Sequence, residues 1–179
     1  MATVSLSSRL GATIRLALIA GSGMALGACA NIAATPPGTP IDQVQAQFGA
    51  PTLTCTSRAG KPRAIWSQQP YGQFAWGSDL TSDGRVERIE PVLTDAHFKV
   101  LAEGTWTPEQ VRCEFGPPAQ IDTAGLPSVR QIVWNYRYRQ DGVWNSLMFV
   151  FFGRDGAQVT KFHPGPDPMY LQDDRSPRF

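Results

Sequence analysis

Thr39-Pro40-Ile41-Asp42-Gln43-Val44-Gln45-Ala46-Gln47-Phe48-Gly49-Ala50-Pro51 returns in altered form as Thr107-Pro108-Glu109-Gln110-Val111-Arg112-Cys113-Glu114-Phe115-Gly116-Pro117-Pro118. Gln43, Val44, Phe48, Gly49 and Pro51 each meet the same residue 67 positions later. Both copies read as a short helix. The Thr caps unpaired N–H groups of the first turn, and the Pro takes the first helical position. Thr107 with Gln110 fits a capping box. Val and Phe four apart make one apolar ridge. The Gly stops the helix with positive φ, and the nearby Pro blocks its continuation. Helices this short are unstable alone and must dock on something.

What they dock on follows each of them. Ile132-Val133-Trp134-Asn135-Tyr136-Arg137-Tyr138-Arg139 alternates, with Ile132, Trp134, Tyr136 and Tyr138 on one face and Val133, Asn135, Arg137 and Arg139 on the other. Asp141-Gly142 supplies a turn. Ser146 to Phe152 is apolar on both faces, as a central strand is. Asp155-Gly156 turns again, into a third strand over Ala157 to Phe162. The first unit echoes this meander. Ala64 to Ser67 holds Trp66, Phe74 to Leu80 holds Trp76, and Arg85 to Glu90 follows the Ser82-Asp83-Gly84 turn. Between the units, Leu93 to Gly104 reads as a further helix. Thr94 caps it, Gly104 ends it, and Phe98, Leu101 and Ala102 make its inner face. The fold class is α+β: two tandem units, each a helix-plus-three-stranded antiparallel sheet.

Outside the repeat, the N-terminus carries its own signal. Residues 1–15 contain Arg9 and Arg15 and no acid, and Leu16 to Ala28 is apolar or small throughout. A membrane-spanning helix needs roughly 20 apolar residues, so this run is too short to span. A basic start, a short apolar run and small residues at its end make a secretory signal. The run closes as Leu26-Gly27-Ala28-Cys29, which resembles the lipobox of bacterial lipoproteins. That resemblance implies lipidation of Cys29 after removal of residues 1–28, and Ala30 in place of Asp implies the outer membrane. Cleavage removes two Arg and turns the net charge from +1 to −1. The organisation expected is signal peptide 1–28, lipidated tether 29–37, first unit 38–90, second unit 91–163 and flexible tail 164–179.

Two cysteines remain, Cys55 and Cys113. An oxidising compartment permits a disulfide between them. The spacing alone leaves open a bridge or two separate half-buried thiols.

The chemistry of catalysis is not visible. The two histidines, His97 and His163, fall in a helix and in the tail, and no Cys-x-x-Cys, His-x-x-x-His or Gly-x-Ser-x-Gly occurs. Asp42 and Asp95 are explained as first-turn acids, and Asp83, Asp141 and Asp155 as turn residues. No enzyme, metal or cofactor is expected. A near-neutral charge without basic runs argues against nucleic acid. The aromatic content is left. Large aromatics first fill cores. Yet Phe149 and Phe151 lie opposite Met148, Val150 and Phe152, and helices can cover only one face. Exposed aromatics beside Arg favour protein binding. The candidates are Trp144, Tyr138, Tyr136, Arg137, Arg139 and Trp76, with Trp144 near its hairpin turn the best solvent-facing anchor.

A helix pair, a Gly-capped second helix of the form Thr-x-x-Gln-Val-x-x-x-Phe-Gly-x-Pro, a helix-to-Gly-to-Pro segment that occurs twice, a Trp-bearing strand and a turn glycine before the last strand resemble the BamE/SmpA/OmlA family. These are small outer-membrane lipoproteins that accompany the β-barrel assembly machine. The tandem form also resembles the β-lactamase inhibitor protein fold. The resemblance covers about residues 38–162 and marks Gly49, Pro51, Gly116 and Pro118 as structural. It departs in two places: the second unit has one extra residue between Gly104 and Val111, and the first lacks an evident first helix. It implies a non-catalytic, lipid-anchored module on the periplasmic face of the outer membrane, binding an envelope protein, with the β-barrel assembly machine as one such partner. The alternative is a periplasmic inhibitor-like module that caps an enzyme.

Overall fold

A computed structural model describes residues 31–171; the signal segment, Cys29 and the last eight residues lie outside this range. The repeated helices form where expected, as α1 (Ile41–Phe48) and α3 (Pro108–Phe115). Gly49 and Gly116 close them with φ of 86° each. Their first turns differ. Thr107 makes the full capping box with Gln110. Thr39 does not cap α1: its hydroxyl donates back to the Pro36 carbonyl at 2.7 Å, and Pro40 holds the cap position without a side-chain bond. The first unit has one residue more than the second between its Thr and the shared Gln, with Pro40, Ile41 and Asp42 against Pro108 and Glu109. Thr107 therefore stands next to its helix, whereas Thr39 lies one residue too far out. The Gly84 carbonyl takes the Ile41 N–H instead, at 3.0 Å.

Each helix leads into a four-stranded antiparallel sheet, one strand more than expected. The first is β1 (Leu53–Thr56), β2 (Pro62–Ser67), β3 (Ala75–Asp79) and β4 (Glu90–Pro91), in that order. The second is β5 (Gln120–Ala124), β6 (Gln131–Gln140), β7 (Trp144–Phe152) and β8 (Val159–Pro166). The additional strands, β1 and β5, are edges. The strand expected over Arg85–Glu90 shrinks to β4, preceded by isolated bridges from Arg85 and Val86.

The first core lies between α1 and one face of the first sheet. Trp66 pairs across strands with Trp76, and Val44, Ala64, Val86 and Ile89 close around them. Ile32 belongs to this core at 6% exposure. That corrects the expected tether: from Asn31 onward the chain is folded, with a 3-10 turn over Ile32–Ala34 capped by the Asn31 side chain.

The second core lies between the second sheet and the helices α2 (Asp95–Phe98, continued by a 3-10 turn over Lys99–Ala102) and α3. Phe98 stacks on Phe115 at 4.8 Å and meets Tyr138 edge-on at 5.3 Å. Each fully buried Phe contributes roughly 1.5–3 kcal/mol through its burial. Ala102 is exposed, because the tightened turn rotates it off the inner face. Ala75 and Val92 join the same core, so the second core reaches into the first sheet.

Helix α3 also joins the units through its other side. Cys113 forms a disulfide with Cys55 on β1, with Cα atoms 5.8 Å apart. Gly116 at its end lies against Ile65, which is fully buried on the sheet face opposite Trp66. The expected flexible tail is corrected as well. β8 runs to Pro166, Asp167 is fully buried, and α4 (Pro168–Leu171) follows. Among the described residues no helix is long and apolar enough to cross a membrane.

Candidate functional site

The six expected binding residues divide sharply. Tyr136 and Tyr138 are fully buried on the helix-facing side of β6 and belong to the core, not to a binding surface. The Tyr136 hydroxyl donates to the Gly116 carbonyl at 3.2 Å and that of Tyr138 to Asp95 at 2.8 Å. Burial pushes both phenols well above their usual range. They act as neutral donors that hold sheet to helix.

Arg137 is also turned to internal use. Its Nε lies 2.9 Å from the Asp167 carboxylate, and its Nη1 donates to the Pro70 carbonyl. A wholly buried acid without such a cation would carry a penalty of several kcal/mol. This pair ties the C-terminal segment and the β2–β3 loop to β6. Arg139 is half-buried and donates to Asn145 at 2.9 Å. Trp76 is half-buried and stacks on Phe74 with centroids 6.0 Å apart. Only Trp144 stands out fully, at 66% exposure.

The outer face of the second sheet supplies a more complete site. β7 is apolar on both sides, and its Phe149 and Phe151 turn away from the helices. The pairing register sets Val133 and Asn135 of β6 beside them, with Lys161 and His163 of β8 on the other flank. Together with Asp122–Ala124 of β5, all of these residues but Lys161 frame an open groove of about 300 Å³. Helices α2 and α3 occupy the opposite face, and α4 follows Asp167 at the Arg137 end. None of them lines the groove.

The floor of this groove is apolar and its rim is polar. His163 lies 5.3 Å from the Phe151 ring and 5.6 Å from that of Phe149. The Lys161 ammonium stands 4.2 Å over Phe151. Gly165 faces the Phe149 ring so closely that a Cβ there would stand 2.8 Å from Cε2. The Asn135 amide donates to Asp122 at 2.9 Å, while its buried Oδ1 has no partner. An unmet buried acceptor costs about 1–3 kcal/mol, so an incoming N–H donor is favoured there. The alternation of β6 showed that Val133 and Asn135 share a face. The contributions of Asp122 and His163 were missed, because one lies on a polar edge strand and the other was assigned to a tail.

A second polar cluster lies between β2 and α3. Arg63 reaches Asp79 at 2.8 Å, Glu114 at 3.0 Å and the Cys113 carbonyl at 3.2 Å. His97 Nε2 lies 2.6 Å from the same Glu114 oxygen. Burial by itself would raise the Glu114 pKa. The hydrogen bond with His97 and the charges of Arg63, His97 and Arg58 outweigh it and hold the carboxyl below its usual value of 4.5. His97 is thus a boundary residue of a latch between the units. No hydroxyl or thiol side chain lines the cleft beside it. Among the described residues, no group of three or more His, Cys, Asp or Glu is placed to hold a metal.

Comparison of the chain with protein families, with curated proteins and with solved structures gives no match.

Proposed function

We propose that the chain is a non-catalytic, lipid-anchored module of the outer membrane that holds an envelope protein through the outer face of its second sheet. The observation that carries this reading is the groove over Phe149 and Phe151, an apolar floor with the unpartnered Asn135 acceptor beside it. Such a site suits a peptide segment that brings apolar side chains and backbone N–H groups. The lipobox at Leu26–Cys29 and the doubled helix-to-glycine segment support anchoring and the BamE/SmpA/OmlA-like reading. A subunit of the β-barrel assembly machine is the partner class that this resemblance favours. The inhibitor-like alternative asks for a concave aromatic face. It loses support where Tyr136 and Tyr138 turn inward.

The test is crosslinking in cells with a photoreactive phenylalanine analogue at Phe149, compared with one at the exposed Leu126. A discrete protein adduct from position 149, weakened by Asn135→Ala, is expected. Equal background products from both positions would sink the reading. Cys29→Ser tests the anchor separately, and its failure to release the protein from membranes would remove the lipid assignment.

A further inference from the structure

The first unit carries its own open groove, of about 370 Å³, on the side where the described chain begins. Asn31 stands at its rim, and Ile32, Phe48, Trp66 and Trp76 line it. Every residue lining this groove is uncharged. Phe74 stacks on Trp76 and is 45% exposed, which extends the aromatic surface outward from the groove.

The position of Asn31 gives this surface its meaning. Two residues of chain reach at most about 7 Å. Cys29 therefore stays within that distance of the rim, whatever the backbone does between. Nor can the module swing away on the residues that follow. Ile32 is buried in the first core, and the Gly38 N–H is bonded to the Val86 carbonyl at 2.8 Å. An anchor this short leaves the aromatic surface at the level where the acyl chains enter the bilayer. Trp beside apolar rings is favoured there, since an indole sits well between headgroups and hydrocarbon.

We infer that the Phe74–Trp76 surface and its groove lie against the phospholipid headgroup region, so that the first unit rests on the membrane instead of standing off from it. This rests on the lipid anchoring of Cys29 proposed above. The membrane contact is thereby assigned to the first sheet and the protein contact to the second.

The test uses the full mature protein, extracted from membranes and reconstituted into vesicles of phosphatidylethanolamine and phosphatidylglycerol with brominated acyl chains. Bromine quenches only tryptophans at the bilayer. The wild type and Trp144→Phe should be quenched alike, and Trp76→Phe should lose about half of the quenching or more. Equal quenching of Trp76→Phe and the wild type, or none in the wild type, would overturn the docking. The same holds if the protein's own acyl chain fills the groove, because Trp76 would then be shielded from brominated lipid. Intact-mass analysis of the N-terminus reads the anchor independently. A chain without acyl mass removes the anchor and this docking together, whereas an acylated chain with unquenched Trp76 removes the docking alone.

Discussion

Gln69 lays its side-chain amide along the edge of β6 at Arg137. It accepts from the Arg137 N–H at 3.2 Å and donates to the Arg137 carbonyl at 2.8 Å. A neighbouring strand would make the same two bonds. β5 cannot make them, because its pairing with β6 ends at Asn135. The β2–β3 loop of the first unit thus continues the sheet of the second. Gln69→Ala leaves both peptide groups without a partner. A buried polar group left unpaired costs about 1–3 kcal/mol, so the urea midpoint should fall by an amount equivalent to about 2 kcal/mol. An unchanged midpoint would mean that water replaces the amide and that the loop does not brace the edge.

The disulfide is the second tie between units. Cys55 and Cys113 are separated by 58 residues. Closing a loop of that length in the unfolded chain corresponds to about 4 kcal/mol in the chain-entropy treatment. The paired substitution Cys55→Ser with Cys113→Ser should therefore lower unfolding free energy by roughly that much. A reductant should shift the wild-type urea midpoint and leave the double variant unmoved. Equal midpoints with and without reductant in the wild type would contradict the bridge.

The units and their helices were legible because burial writes a period into the sequence. β6 and β7 alternate or are apolar throughout since they are central strands. β1 and β5 were not legible for the opposite reason. They are edge strands with side chains largely in solvent, so nothing constrains residues such as Gln120 and Thr123 to a pattern. Two of the binding candidates turned out to be core residues for a related reason. Tyr136 and Tyr138 share a face with Trp134, and alternation alone does not say which face the helices cover. The partner of Arg137 was hidden because Asp167 lies in a Pro-rich stretch with no period, where a buried acid leaves no local trace. The Cys55–Cys113 bridge was left open, since spacing does not measure distance.

Glu114 makes the latch between the units sensitive to acid. Its folded-state pKa is lowered, so its contribution is present above the unfolded value and is lost as pH falls through the folded one. The window therefore lies below the usual glutamate value of 4.5. Unfolding free energy measured on acidification through this window should drop less steeply in Glu114→Gln than in the wild type. The variant should also be less stable at neutral pH, because Arg63 loses one of its two carboxylates. Parallel pH profiles for the two proteins would show that the latch does not contribute.

The repeated glycines give the sharpest comparison. Gly49 and Gly116 hold the same φ of 86°, with ψ of 168° and −173°. This region is essentially reserved to glycine, and a side chain there costs about 1–3 kcal/mol. The surroundings differ. A Cβ on Gly49 meets nothing within 4 Å, whereas one on Gly116 stands 3.0 Å from Ile65 Cγ2 and 3.4 Å from Ser67 Cβ. Gly116 is where α3 meets the first sheet, so the added methyl overpacks the contact between units, which costs a further ~1–3 kcal/mol. Gly49→Ala should thus lose only the backbone share, and Gly116→Ala should lose clearly more in thermal or urea unfolding. Equal losses would mean that Ile65 moves aside freely and that α3 is not held tightly against the first sheet.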